Sequence, residues 1–546
     1  MAIGDIKKIE LTRSSFKDII SNRNFYIDKT KMIENFLTSS NSVHLVARQR
    51  RLGKTLNMDT LRCFLTDKED LRYLFKGLYI EKSPVWEMAN SAPVFYFDFK
   101  TLSHGDYRRQ IVMQVYKNMS MYIELADLKG YHKIQFENLV NNPDKGENAL
   151  LILTEIMYDV IGKRSYLLID EYDQLLMHNY DKESYEEIRG FITHLFSSAV
   201  KSNQYLEKAL LTGVMRISHE SMFSGLNNII TYDVFNDDVY TNDYGFTEEE
   251  IAEISKLTEF DISELRQWYN GVRIFGVPIY NTFSVMSFLL RKRYDCYWGK
   301  SGTMDMIRNL LDDSRLAVLA KLLAGEQGEV SIVDRVSLCQ LVKGVGNQAF
   351  YSLLVQAGYF ALGEKVPGKF QTHYVSIPNT ELMRVWKDFI LESLYPDTHW
   401  IKTLFDNIRN LKVFADDLEY FLSNRLSYHD LSAGDEEEPR RLNERFYHIF
   451  MLGFLSAYED TRCRFPQSNK ESGDGRYDIL AERPKENVIF ELKACKQEED
   501  LELIAEKALT QITSKRYGED LDKTKKLIKV GIAFHKKKVR VKVSTE

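Results

Sequence analysis

The sequence predicts an α/β protein organised around a parallel β-sheet, with further domains after it. Short apolar runs typical of buried strands alternate with longer stretches of helical periodicity in the first half of the chain. The first of these runs, residues 43–47, leads through a basic turn into Gly53-Lys54-Thr55, where an amphipathic helix is predicted to begin. A strand, a turn and a helix N-terminus in this order are the context that a phosphate-binding loop requires.

The composition is that of a large globular protein. Hydrophobic residues make up 44% and charged residues 28% of 546 positions, and the length suggests about three or four domains. Five cysteines are scattered without a C-x-x-C pair, which argues against zinc ribbons and disulfide scaffolds and fits a reducing compartment. The N-terminus lacks an apolar signal core and no run approaches about 18 apolar residues, so we expect a cytoplasmic protein that does not cross a membrane.

The turn at residues 48–53 is a candidate phosphate-binding loop. Backbone N–H groups and the positive end of the helix would face the anion, Lys54 would reach the β- and γ-phosphates, and Thr55 would ligate Mg²⁺. The full motif G-x-x-x-x-G-K-[ST] has a glycine where this chain has Arg48, and glycine lets the backbone approach phosphate closely. A basic turn without a ligand therefore remains an alternative.

Further elements follow in chain order: a helix over residues 26–37, a strand over 92–99, helical patterning through 105–160, a strand from Ser165, and a strand over 208–214. The strand from Ser165 runs directly into Asp170 and Glu171. Asp170 would hold the Mg²⁺ shell, and Glu171 would orient and deprotonate the attacking water. A strand that enters an acidic loop is the alternative, but Gly-Lys-Thr about 115 residues upstream favours a nucleotide site.

Two further polar residues are candidates for the predicted nucleotide site. Thr212, near the end of the strand over 208–214, is our candidate for sensing the γ-phosphate. Arg216 would stabilise charge in the transition state, and a surface salt bridge is an equally good interpretation of this residue.

These motifs together resemble the bacterial AAA-ATPase-like family, over roughly residues 5–290. The resemblance rests on residues 47–55, 168–173, 212–217 and 222–228. Members typically carry Arg-x-Arg-Arg-x-Gly-Lys-[Ser/Thr], so the resemblance implies a P-loop NTPase fold of the ASCE/AAA-like type, with Arg48, Arg50, Arg51 and Gly53 at the nucleotide. It also implies ATP and Mg²⁺ as cofactors.

Two predicted strands near the end of the chain carry a second acidic group. They cover residues 477–481 and 488–494 and are joined by a turn at 483–487. Because side chains alternate between faces, Glu491 and Lys493 share one face of the second strand, opposite an apolar face, and the hairpin brings Asp478 beside them. Asp478 and Glu491 would hold Mg²⁺, and Lys493 would position water or offset charge on phosphate. A solvated hairpin with an ordinary salt bridge is the alternative.

Neighbouring helices offer additional polar groups. Glu444 and His448 are four residues apart on one helix face, so Glu444 is a candidate third acidic group, whereas a lone His448 is more often a packed residue. Gln511 shares a face of a later helix with Lys515 and is a further candidate. Nine Lys or Arg residues lie between positions 523 and 542, and the strand at 535–540 suits either phosphate contacts or a charged edge strand.

Residues 440–540 look like the PD-(D/E)XK nuclease superfamily, although Tyr477 stands where the motif has proline. The resulting organisation is a P-loop AAA-ATPase-like domain (1–240), a helical lid (241–330), a helical connector (331–432) and a PD-(D/E)XK nuclease-like domain (433–546). The resemblance implies an ATP-binding and ATP-hydrolysing protein with a Mg²⁺-dependent, ATP-regulated cleavage of DNA or RNA, and it leaves an oligomer open. One alternative is an ATP-dependent switch that binds nucleic acid or a protein through a non-cleaving nuclease-like module. Another is an ATPase with no nucleic-acid role.

Overall fold

The computed structural model describes residues 2–216 except 13, 103 and 104, residues 228–298, most of 307–394, short pieces of 413–451 and most of 467–545. The chain divides into two compact units. The N-terminal unit comprises residues 1–298, 330–373 and 378–381, and the C-terminal unit comprises 299–329, 374–377 and 382–546. Among the helices that the structure describes, none is both long enough and apolar enough to span a membrane.

A five-stranded parallel sheet forms the centre of the N-terminal unit. A short antiparallel pair, β1 (Ala2–Ile3) with β2 (Tyr26–Ile27), precedes it in the chain. The strands of the sheet are β3 (Val43–Ala47), β4 (Val94–Asp98), β5 (Ser165–Asp170), β6 (Leu206–Gly213) and β7 (Ile229–Tyr232). The order across the sheet is β4-β5-β6-β3-β7, and every neighbouring pair is parallel. The predicted parallel α/β sheet is therefore confirmed, and β3 covers the predicted residues.

Helices surround this sheet and continue through the rest of the chain. They are α1 (Phe16–Ser21), α2 (Lys31–Thr38), α3 (Lys54–Leu65), α4 (Tyr107–Ser120), α5 (Gly130–Asn141), α6 (Ala149–Ile161), α7 (Gln174–Met177), α8 (Tyr185–Val200), α9 (Glu248–Leu257), α10 (Ile262–Tyr269), α11 (Thr282–Arg291), α12 (Asp313–Leu323), α13 (Asn347–Ala357), α14 (Thr380–Leu394) and α15 (Leu501–Ser514). The predicted helix over 26–37 is wrong at its start, because residues 26–27 pair with 2–3 as a strand and α2 begins only at Lys31.

The segment after the sheet contains α9, α10 and α11 and one short hairpin, β8 (Val272–Ile274) with β9 (Val277–Ile279). A capping box begins α9, since the Thr247 hydroxyl accepts the backbone N–H of Glu250 and the Glu250 carboxylate accepts that of Thr247. Apolar side chains of these helices pack with Phe25 and Ile27 in one buried cluster.

The stretch 331–432 was predicted as helical and is mixed instead. Besides α13 and α14 it contains two strands, β11 (Ala361–Lys365) and β12 (Thr372–Ser376), while β10 (Gly328–Ser331) ends at its first residue. Gly368 lies between β11 and β12 with a φ of +74°, a turn conformation that favours glycine. Of residues 222–228, which carry part of the family resemblance, all but the last lie outside the described residues.

The C-terminal unit contains a second five-stranded sheet. Its region has the strands β13 (Gln467–Ser468), β14 (Glu471–Ser472), β15 (Gly475–Arg476), β16 (Ile479–Glu482), β17 (Glu486–Ala494), β18 (Lys526–His535) and β19 (Lys538–Thr545). The sheet order is β13-β16-β17-β18-β19, with β17 and β18 parallel and the other neighbours antiparallel. Helix α15 lies against β18 at Gly531, where a Cβ would come within 2.4 Å of the Leu509 nitrogen.

Both faces of β17 are buried except at the partly exposed Lys493, which argues against the alternative of a solvated hairpin. Ile489, on the face of Glu491, packs in a cluster with Ile512 of α15, and Glu491 itself is only 1% exposed. The reason is the position of β17 between β16 and the parallel strand β18, since central strands with a helical crossover are covered on both sides.

Candidate functional sites

The loop between β3 and α3 contains two residues in the left-handed backbone region. Arg51 has a φ of +66° and Gly53 a φ of +86°, and Gly53 is the N-cap of α3. A Cβ on Gly53 would meet nothing within 4 Å, so glycine is favoured by the backbone conformation and not by lack of space. Residues 53–56 line a cleft, and the N-terminus of α3 therefore lies at that cleft.

Lys54 lies where a phosphate-binding lysine is expected. Its Nζ donates to the carbonyl oxygens of Arg48 at 3.1 Å and Gln49 at 3.0 Å, and it lies 3.9 Å from Oε1 of Glu171. The side chain is only 4% exposed. The structure thus brings the lysine of the loop to the acidic end of β5.

Three side chains from different elements, those of Thr55, Thr212 and Tyr96, lie next to the Asp170 carboxylate. Thr55 Oγ1 donates to its Oδ2 at 2.7 Å, and Thr212 Oγ1 donates to its Oδ1 at 2.5 Å. The hydroxyl of Tyr96 lies 3.4 Å from Oδ2. Since β6 lies between β3 and β5, the carboxyl ends of these parallel strands bring the two threonines and the aspartate together. Thr55, Asp170 and Thr212 are placed together as the sequence suggested.

Sequence reasoning missed Tyr96 and Asp98 on β4. Both line the cleft, and burial followed by the nearby charge of Asp170 raises the pKa of Asp98 above its usual value, against the lowering contribution of a hydrogen bond from the Lys100 backbone. The available signal was the pair of polar groups at alternate positions of an otherwise apolar strand, which places both on one face.

Glu171 follows Asp170 in a left-handed conformation with a φ of +54°. Its backbone N–H donates to Oδ1 of Asp170 at 3.1 Å. Its Oε2 is buried and has no hydrogen-bond partner among the residues that the structure describes. A strained residue with an unsatisfied carboxylate oxygen at a cleft is suited to hold a water molecule.

Tyr172 and Asp173 form hydrogen bonds with the backbone that follows β6. Oδ2 of Asp173 accepts the N–H groups of Val214 at 2.9 Å and Met215 at 2.8 Å, and the Tyr172 hydroxyl donates to the Met215 carbonyl at 2.6 Å. Burial, followed by the charge of Glu171, raises the pKa of Asp173 to about 6. These hydrogen bonds hold in place the end of the strand that contains Thr212.

Two of the four predicted arginines do not line the cleft. Arg48 is fully buried and forms an ion pair with Asp237, and it also donates to the Tyr232 carbonyl at 3.1 Å. A buried guanidinium needs a carboxylate or carbonyl partner, which explains why the Arg48 side chain points toward Asp237 and Tyr232. Arg216 donates to Oδ2 of Asp233 at 3.2 Å, so it forms a salt bridge, but one that is largely buried and not the surface salt bridge considered from the sequence.

The other two arginines, Arg50 and Arg51, line the cleft. Arg51 donates from Nη1 to the Tyr297 carbonyl at 2.6 Å, and its guanidinium lies 4.0 Å from the centre of the Phe283 ring. Arg51 therefore contacts the segment around α11.

The cleft has a volume of about 680 Å³, within the range of small-molecule sites. One end carries the loop and acidic groups described above. Apolar side chains contribute to the remaining wall: Phe25, Ile27, Phe246, Phe283 and Met286. Mg²⁺ prefers oxygen ligands, and Asp170, Thr55 and Thr212 offer carboxylate and hydroxyl oxygens. These residues therefore fit a magnesium site beside a phosphate group.

The C-terminal strands bring Asp478, Glu491 and Lys493 together. Ile479 pairs with Phe490, so extending the register by one residue sets Asp478 opposite Glu491. Oδ2 of Asp478 accepts the Leu492 N–H at 2.7 Å, and Lys493 Nζ donates to Oε1 of Glu491 at 2.7 Å. Mg²⁺ commonly binds through one or two carboxylates with water and substrate phosphate, so Asp478 and Glu491 fit such a site.

The surrounding candidates are placed differently. His448 Nδ1 lies 4.0 Å from Oδ1 of Asp478, and burial lowers the pKa of His448. The Gln511 amide lies 3.4 Å from the Tyr517 hydroxyl, and Glu444 lies outside the described residues. Among the residues that the structure describes, no group of three or more His, Cys, Asp or Glu side chains is arranged to hold a metal ion.

The basic strand β19 is neutralised by carboxylates of its own unit. Lys538 pairs with Glu498 at 2.5 Å, Arg540 with Glu419 at 3.0 Å, and Lys542 with Glu502. These pairs favour the interpretation of a charged edge strand over that of a phosphate-binding strand.

The N-terminal unit thus has a candidate phosphate-binding loop on an α/β sheet, and the C-terminal unit has an acidic site on its strands. Comparison with family models agrees with this organisation. Residues 11–223 match the model described as a predicted AAA-ATPase, and residues 442–544 match the PD-(D/E)XK nuclease superfamily. The chain therefore carries an AAA-ATPase-like region followed by a PD-(D/E)XK nuclease-superfamily region, which confirms both resemblances.

A relative of similar extent comes from Azotobacter chroococcum mcd 1, where it is described as an uncharacterized protein in the vnfD 5' region. The two chains are 25% identical over 379 residues, which is 68% of this chain and 67% of the relative.

Proposed function

We propose that the N-terminal cleft binds ATP with Mg²⁺ and hydrolyses it. The observation that carries this proposal is the convergence of Thr55 and Thr212 on Asp170, with Lys54 of the loop near Glu171. Lys54 and the N-terminus of α3 bind phosphate oxygens, while Thr55 and Asp170 are the residues that would hold Mg²⁺. Bound Mg²⁺ supplies neutralisation of the charge that develops on the phosphates.

The remaining residues of the cleft act on water and on the terminal phosphate. Glu171 orients a water molecule through its unsatisfied Oε2 and accepts a proton from it. Thr212 is fully buried and its hydroxyl donates to Asp170, so its role as the sensor of the γ-phosphate stays a prediction.

We further propose that the C-terminal site cleaves phosphodiester bonds in DNA or RNA. Asp478 and Glu491 are the residues that would hold the divalent ion, which supplies a bound water of lowered pKa. Lys493 would offset negative charge on the phosphate. Glu444 and Gln511 stay predictions as further contributors. Because both regions lie in one chain, we propose that ATP regulates this cleavage.

The test is a cleavage assay of the full chain on single- and double-stranded DNA and RNA, with Mg²⁺ and with or without ATP. Glu491→Ala removes the buried carboxylate, and Glu498→Ala, an exposed carboxylate paired with Lys538, is the matched control. We expect Mg²⁺-dependent cleavage that ATP changes, that Glu491→Ala abolishes and that Glu498→Ala retains. Cleavage that persists in Glu491→Ala would reject this assignment.

A second candidate function is an ATP-dependent switch whose nuclease-like module binds without cutting. Two observations favour it: Lys493 is ion-paired with Glu491, and the basic groups of β19 are ion-paired with carboxylates. Salt-dependent binding of nucleic acid together with nucleotide binding, but with no cleavage on any of the four substrates, would select this alternative.

A further inference from the structure

Three side chains of the loop between β3 and Gly53 are used for contacts within the N-terminal unit. Arg48 forms its buried ion pair with Asp237. Gln49 packs on Gly358 so closely that a Cβ there would lie 2.7 Å from its Cγ. Arg51 is bonded to the Tyr297 carbonyl, as described above. These contacts fix the loop, and they direct these side chains toward protein partners.

Arg50 differs from its neighbours in the loop. It lines the cleft together with Lys54, Glu171 and Gln174. Within the part of the chain that the structure describes, no carboxylate forms an ion pair with its guanidinium, whereas the Arg50 carbonyl accepts the Asn281 amide at 3.4 Å. After burial, the charge of Arg50 is the next cause that lowers the pKa of His178, which caps the C-terminal end of α7. Arg50 and Glu171 therefore line the same cleft.

We infer that Arg50 binds the terminal phosphate of a nucleoside triphosphate and makes the cleft selective for triphosphate over diphosphate. This inference rests on the proposed nucleotide site. A guanidinium offers two parallel N–H donors that match phosphate oxygens, and it stays charged at all relevant pH values. A diphosphate lacks the group that Arg50 contacts, so Arg50 contributes to the binding of ATP and little to that of ADP.

The test compares the Kd of a non-hydrolysable ATP analogue with that of ADP, both with Mg²⁺, by calorimetric titration of the full chain. Arg50→Ala is expected to weaken the binding of the analogue by roughly tenfold or more, because it removes charge-assisted hydrogen bonds to the terminal phosphate. ADP affinity is expected to change by less than about threefold. Arg50→Lys should restore part of the loss, since it keeps the charge without the paired donors.

Two controls make the result specific. Arg72→Ala removes an arginine that pairs with Asp70 at the surface, outside the cleft lining, and circular dichroism melting of each variant checks folding. An equal loss for analogue and ADP in Arg50→Ala, or no loss for either, would overturn the inference while the nucleotide site stands. If the unaltered chain binds neither ligand, the proposed nucleotide site and this inference both fall.

Discussion

The N-terminal cleft and the C-terminal acidic site hold their charged groups in different ways. In the cleft, the hydrogen bonds to the charged groups come from neutral partners: loop carbonyls accept from Lys54, and two threonine hydroxyls donate to Asp170, while the Glu171 carboxylate lies 3.9 Å from Lys54. At the C-terminal site a buried carboxylate and an ammonium neutralise each other, since Lys493 donates to Glu491. The proposed phosphate would replace the loop carbonyls as partner of Lys54, whereas the proposed cation at the second site would have to share Glu491 with Lys493, which donates to it at 2.7 Å.

The largest expected effect concerns the cleft. Lys54→Ala removes the ammonium next to Glu171, and we expect ATP hydrolysis to fall by about a thousandfold, because a preorganised charge in a water-poor site contributes strongly to transition-state stabilisation. The measurement is steady-state phosphate release. Lys68→Ala, an exposed lysine on the same unit, is the matched control, and undiminished hydrolysis in Lys54→Ala would show that the cleft is not the ATPase site.

The next prediction tests the sharing of Glu491. Lys493→Met keeps the length of the side chain but removes its charge, so cleavage should fall by about a hundredfold through lost phosphate stabilisation. The affinity for Mn²⁺ should rise at the same time, because the ion no longer competes with the ammonium. Titration of Mn²⁺ followed by electron paramagnetic resonance measures this affinity. An unchanged or weaker Mn²⁺ affinity would contradict the comparison between the two sites.

A smaller effect is expected at the strand end of the cleft. Thr212→Val keeps the shape but removes the hydroxyl that donates to Asp170. We expect kcat for ATP hydrolysis to fall by about tenfold with little change in KM, because the group acts on the transition state and contributes little to ground-state binding. Steady-state kinetics gives the two parameters separately. A rise in KM at constant kcat would instead assign Thr212 to uniform binding of the nucleotide.

The smallest effect is expected at Glu381, which contrasts with Glu491 because, among the described residues, the hydrogen-bond donors to this buried carboxylate are neutral. It accepts from the backbone N–H groups of Tyr297 at 2.6 Å and Trp298 at 2.7 Å and from the Ser284 hydroxyl. Burial raises its pKa from 4.5 to about 7. The folded state thus holds this proton more tightly, so the stabilisation is complete below pH 4.5 and is lost as the pH rises through about 7.

Glu381→Gln removes this pH dependence. The unaltered chain should lose about 2 kcal/mol of its free energy of unfolding between pH 5 and pH 8 through Glu381, and the variant should not. The free energy of unfolding of the variant should therefore rise by this amount relative to that of the unaltered chain over the same interval. Urea denaturation at the two pH values measures the difference, with the exposed Glu264→Gln as control. A difference that does not change with pH would mean that Glu381 is ionised throughout this interval in the folded chain.

Much of the cleft was accessible from sequence because its signals are local. Strand β3, the helix start at Lys54 and the acidic end of β5 are all encoded by neighbouring residues. Their convergence follows from the order of parallel strands. The direction of the Arg48 side chain could not be predicted from the sequence, because its partner Asp237 lies 189 residues later and no local pattern indicates a buried ion pair.

The C-terminal site shows the same limit. The pairing of Asp478 with Glu491 follows from a short hairpin and was predictable from alternation along the strands. The burial of both faces of β17 depends on α15 and β18, which come later in the chain, so the hairpin alone gave no sign of it. Strands β11 and β12 were missed because they are short and carry many polar residues, which is a weak strand pattern.

We propose that this one chain carries two sites for phosphate chemistry, one in each unit. The most direct test measures ATP hydrolysis and nucleic-acid cleavage in parallel for Lys54→Ala and Glu491→Ala. We predict that Lys54→Ala loses hydrolysis and that Glu491→Ala loses cleavage but still hydrolyses ATP. Cleavage that survives in Glu491→Ala, or hydrolysis that survives in Lys54→Ala, would contradict the account.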